Sequence, residues 1–155
     1  MLHLRRTLSL SLLALALIAP AALTAQTVPK DDKEEQPAFR EYKGIKLGMP
    51  AANVRKLLGN PADKSDAEDM FNFGDNEMAR VFYDDARNVS AISVSYFGNV
   101  EKAPTAKLVL GAEIEQKPDG SLHKMIRYPK AGCWVSYSRT AGDSPMITVA
   151  LQKIQ

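Results

Sequence analysis

From Leu57 onward the chain reads as two halves written on one template. Leu57-Leu58-Gly59 is echoed by Val109-Leu110-Gly111, Val81-Phe82-Tyr83 by Val135-Ser136-Tyr137, and Ile92-Ser93-Val94 by Ile147-Thr148-Val149. The offsets of 52, 54 and 55 residues drift only as far as turns of slightly different length require. A repeat constrains a fold because each copy must present the same buried face. Here that face is written mostly in period two, the signature of strands covered on one side.

The first apolar pattern is helical. Pro50 suits a first helical position, where its missing N–H costs nothing. Val54, Leu57 and Leu58 fall at i, i+3 and i+4, and Gly59 with Pro61 stops the run, so a helix over about 50–58 is expected. The period then changes. Met70–Phe73, Met78–Tyr83 and Val89–Phe97 read as strands, with turns at Gly74-Asp75-Asn76 and at 84–88. In the second half, Thr105–Leu110 reads as a helix of barely two turns. The alternative is a strand over Leu108–Gln116, turned by Lys117-Pro118-Asp119-Gly120, and periodicity leaves the two open. Leu122–Tyr128, Cys133–Arg139 and Met146–Ile154 follow as strands. The expected fold class is therefore α+β: two tandem helix-plus-three-antiparallel-strand units sharing a sheet, with the helices on one face and the other face open. The units would span 39–98 and 99–155.

The N-terminus has the pattern of an export signal. Arg5 and Arg6 precede an apolar stretch from Leu8 to Ala22, and Leu23-Thr24-Ala25 offers a small residue for cleavage. The apolar run is about 15 residues, short of the roughly 20 that span a bilayer. Residues 1–25 are expected to be a signal peptide, placing the protein in the periplasm or outside the cell without a transmembrane segment. No cysteine stands at the cut, so no lipid anchor is expected. Residues 26–38, polar and charged, read as a flexible leader. The chain holds 20 Lys+Arg and 18 Asp+Glu, and loss of Arg5 and Arg6 leaves 18 of each. Such a neutral balance gives no global field for nucleic acid. One cysteine, Cys133, permits no intramolecular disulfide, and its place in a strand pattern marks it as a small core residue.

Gly48-Met49, Val54, Leu57-Leu58-Gly59 and Pro61 together resemble the signature of the SmpA/OmlA family of small envelope proteins, which includes the small lipoprotein of the outer-membrane barrel-assembly machinery. Val81-Phe82-Tyr83-Asp84, followed by Val89-Ser90-Ala91-Ile92, resembles the aromatic strand, turn and returning strand of that family. The duplicated unit is similar to the tandem arrangement of β-lactamase-inhibitory-protein-like domains. The resemblance implies an envelope accessory or inhibitor that acts by binding. The acylated cysteine of the assembly-factor members is absent, and Pro50 stands where their helix opens with Thr or Ser.

Catalytic groupings are sparse. Beyond the signal, His123 is the sole histidine, which with Cys133 makes at most an isolated pair rather than a zinc constellation. Asp63, Asp66, Glu68 and Asp69 form an acidic loop without the glycine and closing glutamate of a calcium loop. No cofactor and no enzymatic activity are expected. What remains is the outward strand face, where parity places Met78, Arg80, Phe82, Ser93, Ser95, Phe97, Trp134, Ser136 and Ser138. Serines mark it as solvent-facing, while Phe82, Phe97 and Trp134 beside Arg80 are the residue types that anchor protein interfaces. The expected binding face is Arg80, Phe82, Ser93, Ser95, Phe97, Trp134 and Ser136, and the expected occupant another envelope protein. The alternative is a small ligand in a cleft between the units, near Arg127 and Tyr128.

Overall fold

The computed structural model describes residues 36–154. The expected signal segment, and all of the expected leader except 36–38, lie outside the described residues. Two helices, α1 (Ala51–Leu58) and α2 (Ala106–Leu110), accompany seven strands: β1 (Asp63–Lys64), β2 (Glu68–Asn72), β3 (Glu77–Tyr83), β4 (Val89–Tyr96), β5 (Leu122–Tyr128), β6 (Cys133–Arg139) and β7 (Ile147–Lys153). All seven join one antiparallel sheet in the order β1-β2-β3-β4-β7-β6-β5. The chain meanders from one edge to the centre, passes through α2 to the opposite edge, and meanders back.

Two tandem helix-plus-three-strand units, the expected architecture, are not what forms. Six residue pairs, from Ala91↔Gln152 to Tyr96↔Ile147, lock β4 to β7. The ladder therefore runs unbroken across the middle of the molecule, and the halves have no boundary. The helices have only eight and five residues. At 1.5 Å rise per residue α1 is about 12 Å long, whereas seven strands about 4.8 Å apart spread over nearly 30 Å. They plug the sheet at two points rather than forming a layer over each half. The first half also carries β1, a two-residue strand that periodicity could not reveal.

The alternation that makes each strand also builds the core. Ala79, Val81 and Tyr83 of β3, Ile92 and Val94 of β4, Cys133, Val135 and Tyr137 of β6, and Ile147, Val149 and Leu151 of β7 are all buried on one side. Across the sheet they align in rows, one of them Val81–Ile92–Leu151–Val135. A register shift opposite Phe82 and Tyr83 sets Phe82 against Ala91 but Tyr83 against Val89. This bulge turns Val89 inward, where strict alternation from Ile92 would have pointed Ser90.

Ala51 and Val54 of α1 are buried and Leu58 packs partly against the core. These three lie at i, i+3 and i+7, so the stripe leaves Leu57 to one side, 56% exposed. This corrects the expectation that Leu57 packs inward. Gly59 ends the helix at φ +85° and ψ −158°, a mirror-extended conformation natural only to glycine, rather than in a left-handed helical cap. The chain over Leu108–Gln116 resolves as helix at its start: α2 ends at Leu110, with Gly111 left-handed behind it. Thr105 Oγ1 accepts from the Leu108 N–H at 3.3 Å, so Thr105→Ala should cost about 1 kcal/mol of stability, read as a shift in the urea midpoint. A cost below a few tenths would show that packing alone holds this short helix.

Candidate open-face binding site

The strand residues that alternate with the buried ones point to the other side, and pairing arranges these into rows. One row is Met70–Arg80–Ser93–Ala150–Ser136–Met125. A second is Glu68–Phe82–Ala91–Gln152–Trp134–Arg127. A third runs Asn72–Met78–Ser95–Thr148–Ser138–His123. Among the described residues no helix packs on this face, because the buried positions of α1 and α2 belong to the core on the other side.

The rows share a pattern. The central strands β4 and β7 contribute mostly small side chains: Ala91, Ser93, Ser95, Thr148 and Ala150. Larger ones stand to either side, with Met78, Arg80 and Phe82 on β3, Trp134 beside Ser136 and Ser138 on β6, and Met125 and Arg127 on β5. The face is thus a trough with a low floor and two high walls. At one end of it, a depression of about 490 Å³ lies over Ala91 and Ala150, with Phe82, Ser93 and Gln152 in its lining.

Polar groups in the trough are held without being sealed. Arg80 Nη2 donates to both carboxylate oxygens of Glu68 at 2.8 and 2.7 Å. Its guanidinium stands 5.0 Å from the centre of the Phe82 ring. Such a stack holds ring and charge in one orientation ahead of any partner. The Ser95 and Thr148 hydroxyls lie 3.4 Å apart across the β4–β7 seam.

Of the expected binding residues, Arg80, Phe82, Ser93, Ser95, Trp134 and Ser136 are brought onto this one surface. Phe97 is not in a row. It follows the last ladder position of β4, and its N–H donates to the Asn76 carbonyl, so it stands at the end of the trough. Sequence reasoning missed the β7 floor and the β5 wall. Thr148, Ala150 and Gln152 did alternate with the buried Ile147, Val149 and Leu151, but nothing local indicated that β7 would lie between β4 and β6.

Among the described residues, Arg127 and Tyr128 do not line a cleft between the halves. Both residues sit on β5, the outermost strand, far from the β4–β7 seam, and Tyr128 is buried opposite Cys133. Cys133 and His123 make no dyad. Cys133 is buried on the core side, where burial pushes its thiol pKa up, and His123 lies on the other face at the far end of β5. A neutral, enclosed thiol is a poor nucleophile.

Three of the four residues of the acidic loop are arginine partners. Asp66 binds Arg87, Glu68 binds Arg80, and Asp69 binds Arg55. Asp69 alone is fully buried, on the core side of β2. Its carboxylate accepts from Arg55 Nε at 2.7 Å, from Arg55 Nη2 at 2.8 Å and from the Tyr83 hydroxyl at 2.7 Å. Burial raises the Asp69 pKa, but the hydrogen bonds from Arg55 and Tyr83 outweigh it, and the group stays ionised below its ordinary value. Tyr83 is pushed the other way, by burial and then by Asp69, so its hydroxyl keeps its proton to donate. This network pins α1 to the sheet.

Comparison of the chain with known protein families, with characterised proteins and with solved structures finds no match.

Proposed function

We propose that this protein is a non-catalytic binding protein of the cell envelope that captures another protein in the trough on its open sheet face. One observation carries the reading: two strands of small residues lie between walls bearing Phe82, Arg80, Trp134 and Met125, on a face that no described element covers. Half-buried aromatics beside an arginine, flanking a floor of small residues, are characteristic interface anchors. Export to the envelope rests on the N-terminal Arg5-Arg6 and apolar pattern, and an accessory or inhibitor role on the resemblance carried by Gly48 through Pro61.

The test is capture of a partner from an envelope extract by wild type and by Trp134→Ala and Phe82→Ala. Each truncation should weaken the identified complex by about 2 kcal/mol, roughly thirtyfold. Neither ring is fully buried, so unfolding free energy should fall by no more than about 1 kcal/mol in each variant. Losses of about 3 kcal/mol or more in both would make these rings core residues and end the interface reading.

A further inference from the structure

Charge is neutral in sum but segregated in space. From Ser121 to Gly142 the sequence holds Lys124, Arg127, Lys130 and Arg139 and not one acid, whereas Asp63 to Asp85 holds eight acids against Lys64 and Arg80. The strand order places these blocks at opposite ends of the sheet, with the basic one on β5 and β6. Five of the eight acids are paired within the protein, by Lys43, Arg55, Arg80, Arg87 and Lys153. Among the described residues none of the four basic-block cations forms an ion pair. Lys124 and Arg127 are exposed.

β5 is also an edge strand of the sheet. It pairs with β6 on one side, and among the described residues none of the backbone groups from Leu122 to Arg127 bonds to anything else. Every second residue of an edge strand turns its N–H and C=O outward, ready for another strand. β1, at the far edge, has only two residues. β5 has seven, with Met125 48% exposed at its centre.

We infer that the β5 edge is a docking site for an extended, acidic segment of a partner protein, which adds to the sheet as an eighth strand. Backbone hydrogen bonds supply the general attraction of strand addition, and two cations, Lys124 on the core side of the strand and Arg127 on its open face, select the charge of the incoming chain. A second copy of this protein is disfavoured at the same edge. Antiparallel self-pairing centred on Met125 would set His123 against Arg127 of the other copy and crowd both lysines along one seam, the arrangement by which natural edge strands resist self-association. This inference concerns the edge; Arg127 also borders the trough, so Lys124, on the opposite side of the strand, is the cation that belongs to the edge alone.

A fluorescein-labelled peptide alternating Glu and Val over seven residues is the probe, read by anisotropy with the whole protein at low salt. Three controls accompany it: a Lys–Val peptide, a Glu–Val peptide N-methylated at every residue, and the protein variant Lys124→Glu/Arg127→Glu. The Glu–Val peptide should bind and weaken as salt rises. The Lys–Val and N-methylated peptides and the charge-reversed protein should each show affinity at least about tenfold lower. The variant's thermal midpoint should stay unchanged, since both side chains are exposed. Equal binding of the N-methylated peptide would reduce the effect to charge attraction and overturn strand addition. No binding of the Glu–Val peptide, or no effect of charge reversal, overturns the site. Loss of peptide binding in Trp134→Ala with none in the reversed variant would place the peptide in the trough and overturn the edge, while leaving the face reading intact.

Discussion

Replacing Asp69 with alanine should lower the unfolding free energy by about 3 kcal/mol, among the largest effects of any single substitution in this chain. Asp69 has no solvent-exposed area, and its carboxylate receives both Arg55 nitrogens and the Tyr83 hydroxyl. Without it, a guanidinium whose side chain is only 21% exposed keeps its charge with no counterion, and a buried hydroxyl loses its acceptor. Measured as a thermal midpoint, the loss should be roughly 10 °C. The pH profile adds a second reading. The folded-state pKa of Asp69 lies below the unfolded value, so its contribution is present at neutral pH and is lost as pH falls below about 5 and through the folded pKa. The variant should therefore lose less stability on acidification than wild type. A parallel acid profile, or a cost under 1 kcal/mol at pH 7, would show that the network is incidental to folding.

Leu151→Ala should cost about 3 kcal/mol, and the way it unfolds matters as much as the size. Leu151 is buried on β7, with Ile92 of β4 on one side and Val135 of β6 on the other. A cavity there weakens both halves at once. If the seven strands form one cooperative sheet, far-ultraviolet circular dichroism and Trp134 fluorescence should report a single transition, shifted together in the variant. Two separated transitions, with the first half retaining wild-type stability, would contradict the single sheet.

Much of the strand pattern was legible because period two is local. Leu122–Tyr128 and Cys133–Arg139 were readable to the residue, and the buried pairs Val81 with Val135 and Val94 with Val149 followed from alternation alone. The face residues Arg80, Phe82, Ser93, Ser95, Trp134 and Ser136 came with them, since what is not buried in a strand must point the other way. Where alternation breaks, the reading failed. The bulge opposite Phe82 and Tyr83 turned Val89 inward, and the end of β4 at Tyr96 left Phe97 off the rows. Leu57 failed for a helical reason: two helical stripes fit one short helix, and only contact with the core chose that of Ala51, Val54 and Leu58.

The sequence by itself determined where six of the seven strands lie, which of their sides is apolar over most of their length, and how unevenly charge is distributed along the chain. These are properties of neighbours in the chain, set by backbone geometry and the transfer of apolar side chains from water. Only the tertiary structure decided that β4 would pair with β7, because strands some fifty residues apart meet through non-local hydrogen bonds that no local pattern encodes. That one pairing replaced two expected units with a single sheet and laid small residues along the middle of its open face. It also left β5, with its cations, at the edge of the sheet.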